Sequence, residues 1–180
     1  MMRTDLYKIN LKSLREGEHQ FDYFLDKAYF EAIEGSFILD GEVDAEVRVL
    51  KRGDLYQVNI LVDGYAVVSC DRCLGDLEED VYSERDLVVK FGSEYREESD
   101  EVLVIPAQEG VLDLHWMLYE DVVLSLPMQR MHPDGECDSE MTARYASMSS
   151  TDVAAETDGV ERDDDGVDLR WAALKKLKES

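Results

Sequence analysis

The chain has 180 residues, 44% of them hydrophobic and 9% aromatic, enough for one globular core with an appended segment. Against 19 Lys and Arg stand 42 Asp and Glu, a formal net charge of -23 that repels phosphate backbones and attracts basic proteins. No stretch approaches the roughly 20 apolar residues of a bilayer span, and the N-terminus lacks the apolar run of a signal peptide, so a cytoplasmic protein with no membrane attachment is expected.

Residues 6–11 alternate in part and predict a short strand; residues 19–25 predict a second, and residues 27–33 a helix ending at Gly35. Val43, Ala45, Val47 and Val49 alternate with Asp44, Glu46 and Arg48, the pattern of a half-buried antiparallel strand. Arg52-Gly53-Asp54 makes a tight turn, and residues 56–68, rich in Val and Ile, return as its partner. The chain then passes through a Cys70–Cys73 turn and re-enters as a strand over 79–91. Residues 92–101 predict a charged loop and 102–105 a short strand. Leu114, Met117, Leu118, Val122 and Ser125 keep helical spacing within a helix over 112–126, which Pro127 stops. Glu120 and Asp121 read as the solvated side of that helix. Residues 1–146 are thus expected to be α+β, mainly β, a meandering antiparallel sheet with one packed helix.

Residues 147–167 are small, polar and acidic and predict a disordered linker. Asp168 is a natural N-cap for a tethered amphipathic helix over 168–180, whose lysines suit the negative end of the dipole. Arg170, Trp171, Leu174, Lys175, Lys176 and Leu177 make it a candidate partner-binding element. The opposing reading is that Trp171, Leu174 and Leu177 dock back onto the acidic body.

Chemistry concentrates in the cysteines. An odd count of three, with two in a Cys-x-x-Cys pair, reads as metal or redox before structural disulfide. The Cys70–Cys73 spacing lets two thiolates point at one ion, and His132 and Cys137 are able to supply the other half of a tetrahedral zinc site. The alternative is three free thiols and a surface histidine. A redox role fits less well, because such pairs sit at a helix N-terminus and this one lies between strands. No nucleophile motif accompanies His19, His115 or His132, and no glycine-rich phosphate loop is present, so catalysis is not expected. The rival readings are a zinc-dependent hydrolase or nuclease, and a zinc-ribbon-like RNA-binding module.

Four features then occur in a telling order. A strand runs into Val67-Val68-Ser69-Cys70-Asp71-Arg72-Cys73-Leu74, and a helix ends Leu124-Ser125-Leu126-Pro127. His132-Pro133-x-Gly135-x-Cys137 follows, then the tail Asp168-Leu169-Arg170-Trp171-Ala172-Ala173-Leu174-Lys175-Lys176-Leu177. This order resembles the YceD family, the large ribosomal RNA subunit accumulation proteins. The resemblance implies a role in synthesis, processing or stability of large-subunit ribosomal RNA. It carries over Cys70, Arg72 and Cys73 as the family's characteristic turn, and Pro127, His132 and Cys137 as its second loop. More cysteine-rich members have further cysteines where this chain has His132 and a single Cys137, and many have proline in place of Leu169. The family's genes commonly neighbour one for a small basic large-subunit ribosomal protein. With the charge, this implies a non-enzymatic ribosome-biogenesis factor that binds a basic ribosomal or rRNA-processing protein. Large-subunit rRNA or its precursor would be met indirectly, and Arg72 joins the candidate partner-binding residues.

Overall fold

The hairpin that the alternating valines predict is the centre of the fold. β3 (Asp40–Arg52) and β4 (Leu55–Ser69) pair antiparallel from Asp40↔Val67 to Arg52↔Leu55, with Gly53 at φ 62 in the turn. Val43, Val47 and Val49 on one strand and Val58, Ile60 and Val62 on the other are essentially inaccessible to solvent. The computed structural model describes residues 6–148, and by chain contacts the protein divides into Met1–Cys137 and Asp138–Ser180.

In the first unit, β1 (Lys8–Asn10) leads through a single 3-10 turn to β2 (Gly17–Leu25) and the short helix α1 (Lys27–Glu31). After β3 and β4 come β5 (Asp76–Gly92), β6 (Arg96–Ser99), β7 (Val102–Pro106), β8 (Val111–Asp113) and α2 (His115–Ser125). The large sheet has the order β2-β3-β4-β5-β7-β6, and β1 pairs with β8 in a two-stranded ribbon. α2 packs on β5 and β4, burying Leu118, Tyr119 and Val122. The fold is mainly β within an α+β design, as the sequence predicts.

Three expectations are corrected. The sheet is not a pure antiparallel meander, because β7 runs parallel to β5 from Val88↔Val102 onward. The chain crosses from β5 to the outer position as β6 and returns as β7 between them. Part of the expected charged loop is therefore an edge strand, its four residues all exposed, as a charged edge that resists further pairing should be. The helix expected from residue 112 begins at His115, because Val111–Asp113 pairs with β1 and Leu114 is its N-cap.

Asp121 is not on a solvated side. It is 3% exposed and accepts a 2.9 Å bond from the Arg85 guanidinium, which also reaches the Met117 carbonyl. Burial pushes its carboxyl up to about 6, against the pull of Arg85.

In the second unit α3 (Ser139–Met148) is amphipathic, opened by Asp138, whose carboxylate accepts from the Met141 amide at 2.8 Å. The expected boundary between residues 146 and 147 falls inside this helix. The rest of the expected linker and the helix over 168–180 lie outside the described residues.

Candidate metal centre

β4 ends at Ser69, and the next residues form a knuckle closed on itself. The Cys70 amide donates to the Gly75 carbonyl at 2.8 Å, and the Leu74 amide donates to the Cys70 carbonyl at 2.9 Å. Leu74 takes φ 62, the single positive φ of a non-glycine residue among the described residues. That left-handed residue turns the chain back sharply enough for the Gly75 carbonyl to meet the Cys70 amide and for β5 to start antiparallel to β4. Cys70 is fully buried and Cys73 4% exposed.

The segment after Pro127 is fastened to this knuckle by one residue pair. The Asp71 amide donates to the Arg130 carbonyl at 2.7 Å, and the Arg130 amide donates to the Asp71 carboxylate at 2.9 Å. The Arg130 guanidinium also reaches Asp71 at 3.4 Å and lies over the Phe37 ring at 4.9 Å. Arg72 reaches Asp134 at 3.8 Å on the rim. These pairs set His132 and Cys137 above the two buried thiols.

The four donor atoms of Cys70, Cys73, His132 and Cys137 all lie within 4.8 Å of one another. Cys70 Sγ is 3.9 Å from Cys137 Sγ, Cys73 Sγ 3.4 Å from His132 Nδ1, and Cys137 Sγ 3.9 Å from His132 Nδ1. Tetrahedral zinc, with bonds of 2.3 Å to sulfur and 2.0–2.1 Å to nitrogen, has S–S edges of about 3.8 Å and S–N edges of about 3.5 Å. The Cys70–Cys137 and Cys73–His132 separations lie within about 0.1 Å of such edges, the Cys137–His132 separation is about 0.4 Å longer, and no pair of donors is more than 4.8 Å apart.

The histidine is oriented for this. Its Nε2 lies 2.9 Å from the Asp76 carbonyl, which only accepts, so Nε2 carries the proton and Nδ1 turns its lone pair to the sulfurs. The same bond raises the His132 pKa, with the Cys70 sulfur acting next. At Cys70 burial works against ionisation, but backbone N–H groups of the knuckle and loop and the Cys73 thiol outweigh it and bring the thiol down to about 6. The Cys137 thiol is pushed up by burial and then by its bonds to Cys70 and Cys73. Cys70 is thus a readier thiolate than Cys137. Three sulfurs and one nitrogen leave a tetrahedral ion no open position, so the set is able to hold a structural metal and not a reacting one.

All four sequence-derived metal ligands thus come together. Arg72 stands beside them, whereas Arg170, Trp171, Leu174, Lys175, Lys176 and Leu177 lie outside the described residues. Sequence reasoning missed the Asp71–Arg130 fastening and the Asp76 carbonyl; an acidic residue inside the Cys-x-x-Cys turn was the one available signal.

A family model described as large ribosomal RNA subunit accumulation protein YceD matches residues 58–178. That span takes in most of β4, the knuckle, α2 and the His132–Cys137 loop. No curated protein and no solved structure shows a significant match. With more than half its length matched and the family's knuckle and loop brought together in space, the chain belongs to the YceD family of large ribosomal RNA subunit accumulation proteins.

Proposed function

We propose that this chain is a non-enzymatic accessory factor for large-subunit ribosomal RNA accumulation that works by binding a basic protein. Zinc held by Cys70, Cys73, His132 and Cys137 would be a structural clamp between the β4–β5 turn and the segment after α2. The family supports the rRNA role, and the closed donor set supports a non-catalytic ion, since catalytic zinc keeps a fourth position for water or substrate.

One observation carries the choice of a basic partner. On the solvent face of the sheet Asp44 stands directly opposite Asp63, and Asp22 opposite Glu46. Like charges in cross-strand register destabilise a sheet, so their presence points to a use that offsets the cost. Other carboxylates crowd Tyr65 on β4 in the same way. The Tyr65 hydroxyl is held above its ordinary pKa, first by burial and then by the charges of Glu42, Glu78 and Asp40. Such a face attracts Lys and Arg and repels phosphates. Arg72 and Arg130, the cations nearest the metal centre, already face Asp134 and Asp71.

Deleting the gene in its source organism and measuring large- against small-subunit ribosomal RNA tests the role. A selective loss of large-subunit RNA is expected, restored by the wild-type gene and not by Asp44→Lys/Asp63→Lys. An unchanged ratio during fast growth overturns the reading.

A further inference from the structure

A groove of about 800 Å³ runs beside α2, along the β5–β7–β6 edge of the sheet. Leu87 and Leu103, 5% and 4% exposed, give it an apolar floor. Its rim carries three large side chains left open to solvent, Trp116 at 53%, Tyr95 at 58% and Leu124 at 79% exposure. We propose that this groove takes a Lys- and Arg-rich segment of a partner protein that also carries an apolar anchor side chain. The proposal rests on the basic-partner reading above and gives that partner a place and a shape.

The two rims share one construction. The Tyr95 hydroxyl donates to Glu97 at 3.2 Å, and the Trp116 indole N–H donates to Glu120 at 2.5 Å. Each ring is thereby held with a carboxylate at its polar edge and more than half of the residue's surface open to solvent. A guanidinium or ammonium laid on the face of such a ring meets its quadrupole and a full negative charge together. Its aliphatic stem would cover the ring while the anchor reaches the leucine floor.

The charge balance of the lining points the same way. Its two cations are engaged, Arg85 with Asp121 at 2.9 Å and Lys8 with Asp113 at 4.0 Å. No ion pair among the described residues occupies Glu97, Asp100 or Glu120. The groove therefore presents uncompensated negative charge around an apolar floor. A nucleic acid would bring phosphates against those carboxylates. A second copy of this chain would bring another formal charge of -23. A basic amphipathic segment satisfies both the charge and the floor, with exposed aromatic rims of the kind that concentrate binding energy.

The test uses the full-length protein and three probes. These are total protein extracted from large ribosomal subunits, a labelled Arg-Leu-Lys repeat peptide, and large-subunit RNA. Trp116→Ala is expected to weaken peptide and protein binding at least about tenfold, and Glu97→Lys/Glu120→Lys further. Glu120→Gln, which keeps shape and removes one charge, gives a smaller loss and stands in should a bolder variant fail to fold, as judged by circular dichroism. Asp44→Lys/Asp63→Lys, on the solvent face of the sheet, serves as comparison. Groove variants that bind like wild type while the sheet-face variant loses binding overturn the groove and leave the basic-partner reading intact. Wild-type protein that binds neither basic probe overturns both. Large-subunit RNA bound by wild type and released by the groove variants overturns a protein occupant.

Discussion

His132 turns its Nε2 to the carbonyl of Asp76, 2.9 Å away, and by that bond presents Nδ1 to three sulfurs. A surface histidine has no need of this constraint, and a metal ligand does, because the tautomer decides which nitrogen can bind. Purified protein is therefore expected to carry one zinc per chain by elemental analysis. Replacement by cobalt should give the intense visible bands of a tetrahedral thiolate site. Cys70→Ser and Cys137→Ser should each lose the metal and lower the melting temperature, and a chelator should do the same to wild type. Protein prepared under reducing conditions that holds no zinc and melts unchanged in chelator would leave the four side chains as thiols and a histidine.

The donor types of this site were legible in the sequence, but their closeness was not. His132 lies 59 residues beyond Cys73, and what closes the distance is the Asp71–Arg130 pair, whose residue types have many other uses. The β3–β4 hairpin was legible because strict alternation and a Gly53 turn agree with each other. β6 was not, since Arg96–Ser99 is wholly exposed and gets its strand conformation only from pairing with β7. β8 was misread for a related reason. Its three residues pair with β1 about a hundred positions earlier, and a short apolar run before a helix looks like the helix's first turn. α3 escaped notice because it buries none of its side chains.

Asp121 was misjudged because its partner Arg85 is 36 residues earlier, on the inner side of β5. The folded carboxyl, at about 6, is above its ordinary value of 3.8, so the folded state binds the extra proton between those values. This group's contribution to stability is therefore fully present below about pH 4 and is lost as pH rises through 6. Asp121→Asn removes the titration. Relative to wild type its unfolding free energy should rise across that window by about 3 kcal/mol, from a shift of about two pKa units. Denaturant melts of both proteins between pH 4 and 7 check the sign, because the other carboxylates cancel in the difference. Asp121→Ala, which strands Arg85 under α2, should instead cost about 3 kcal/mol at neutral pH.

The register of Asp44 on Asp63 makes an opposed pair of expectations for stability and binding. Asp44→Asn relieves a cross-strand repulsion and should stabilise the protein by a few tenths of a kcal/mol at low salt. That gain should shrink as added salt screens the repulsion. The same change should weaken binding to basic large-subunit proteins. Thermal melts and a binding titration over one salt series separate the two effects. A variant that loses stability at low salt would mean that the carboxylates are engaged in ways other than repulsion.

Leu74 offers the sharpest test of what the knuckle demands. It sits in the left-handed region at φ 62 with its side chain 66% exposed, so it bears backbone strain with little packing in return. Glycine has no Cβ to clash there, and relief of about 1 kcal/mol exceeds the extra chain entropy that glycine loses on folding. Leu74→Gly is thus expected to raise the melting temperature and to leave zinc stoichiometry unchanged. A lower melting temperature with metal retained would show that the leucine side chain packs in solution. Loss of metal would show that the knuckle needs a side chain to keep Cys70 and Cys73 facing one ion.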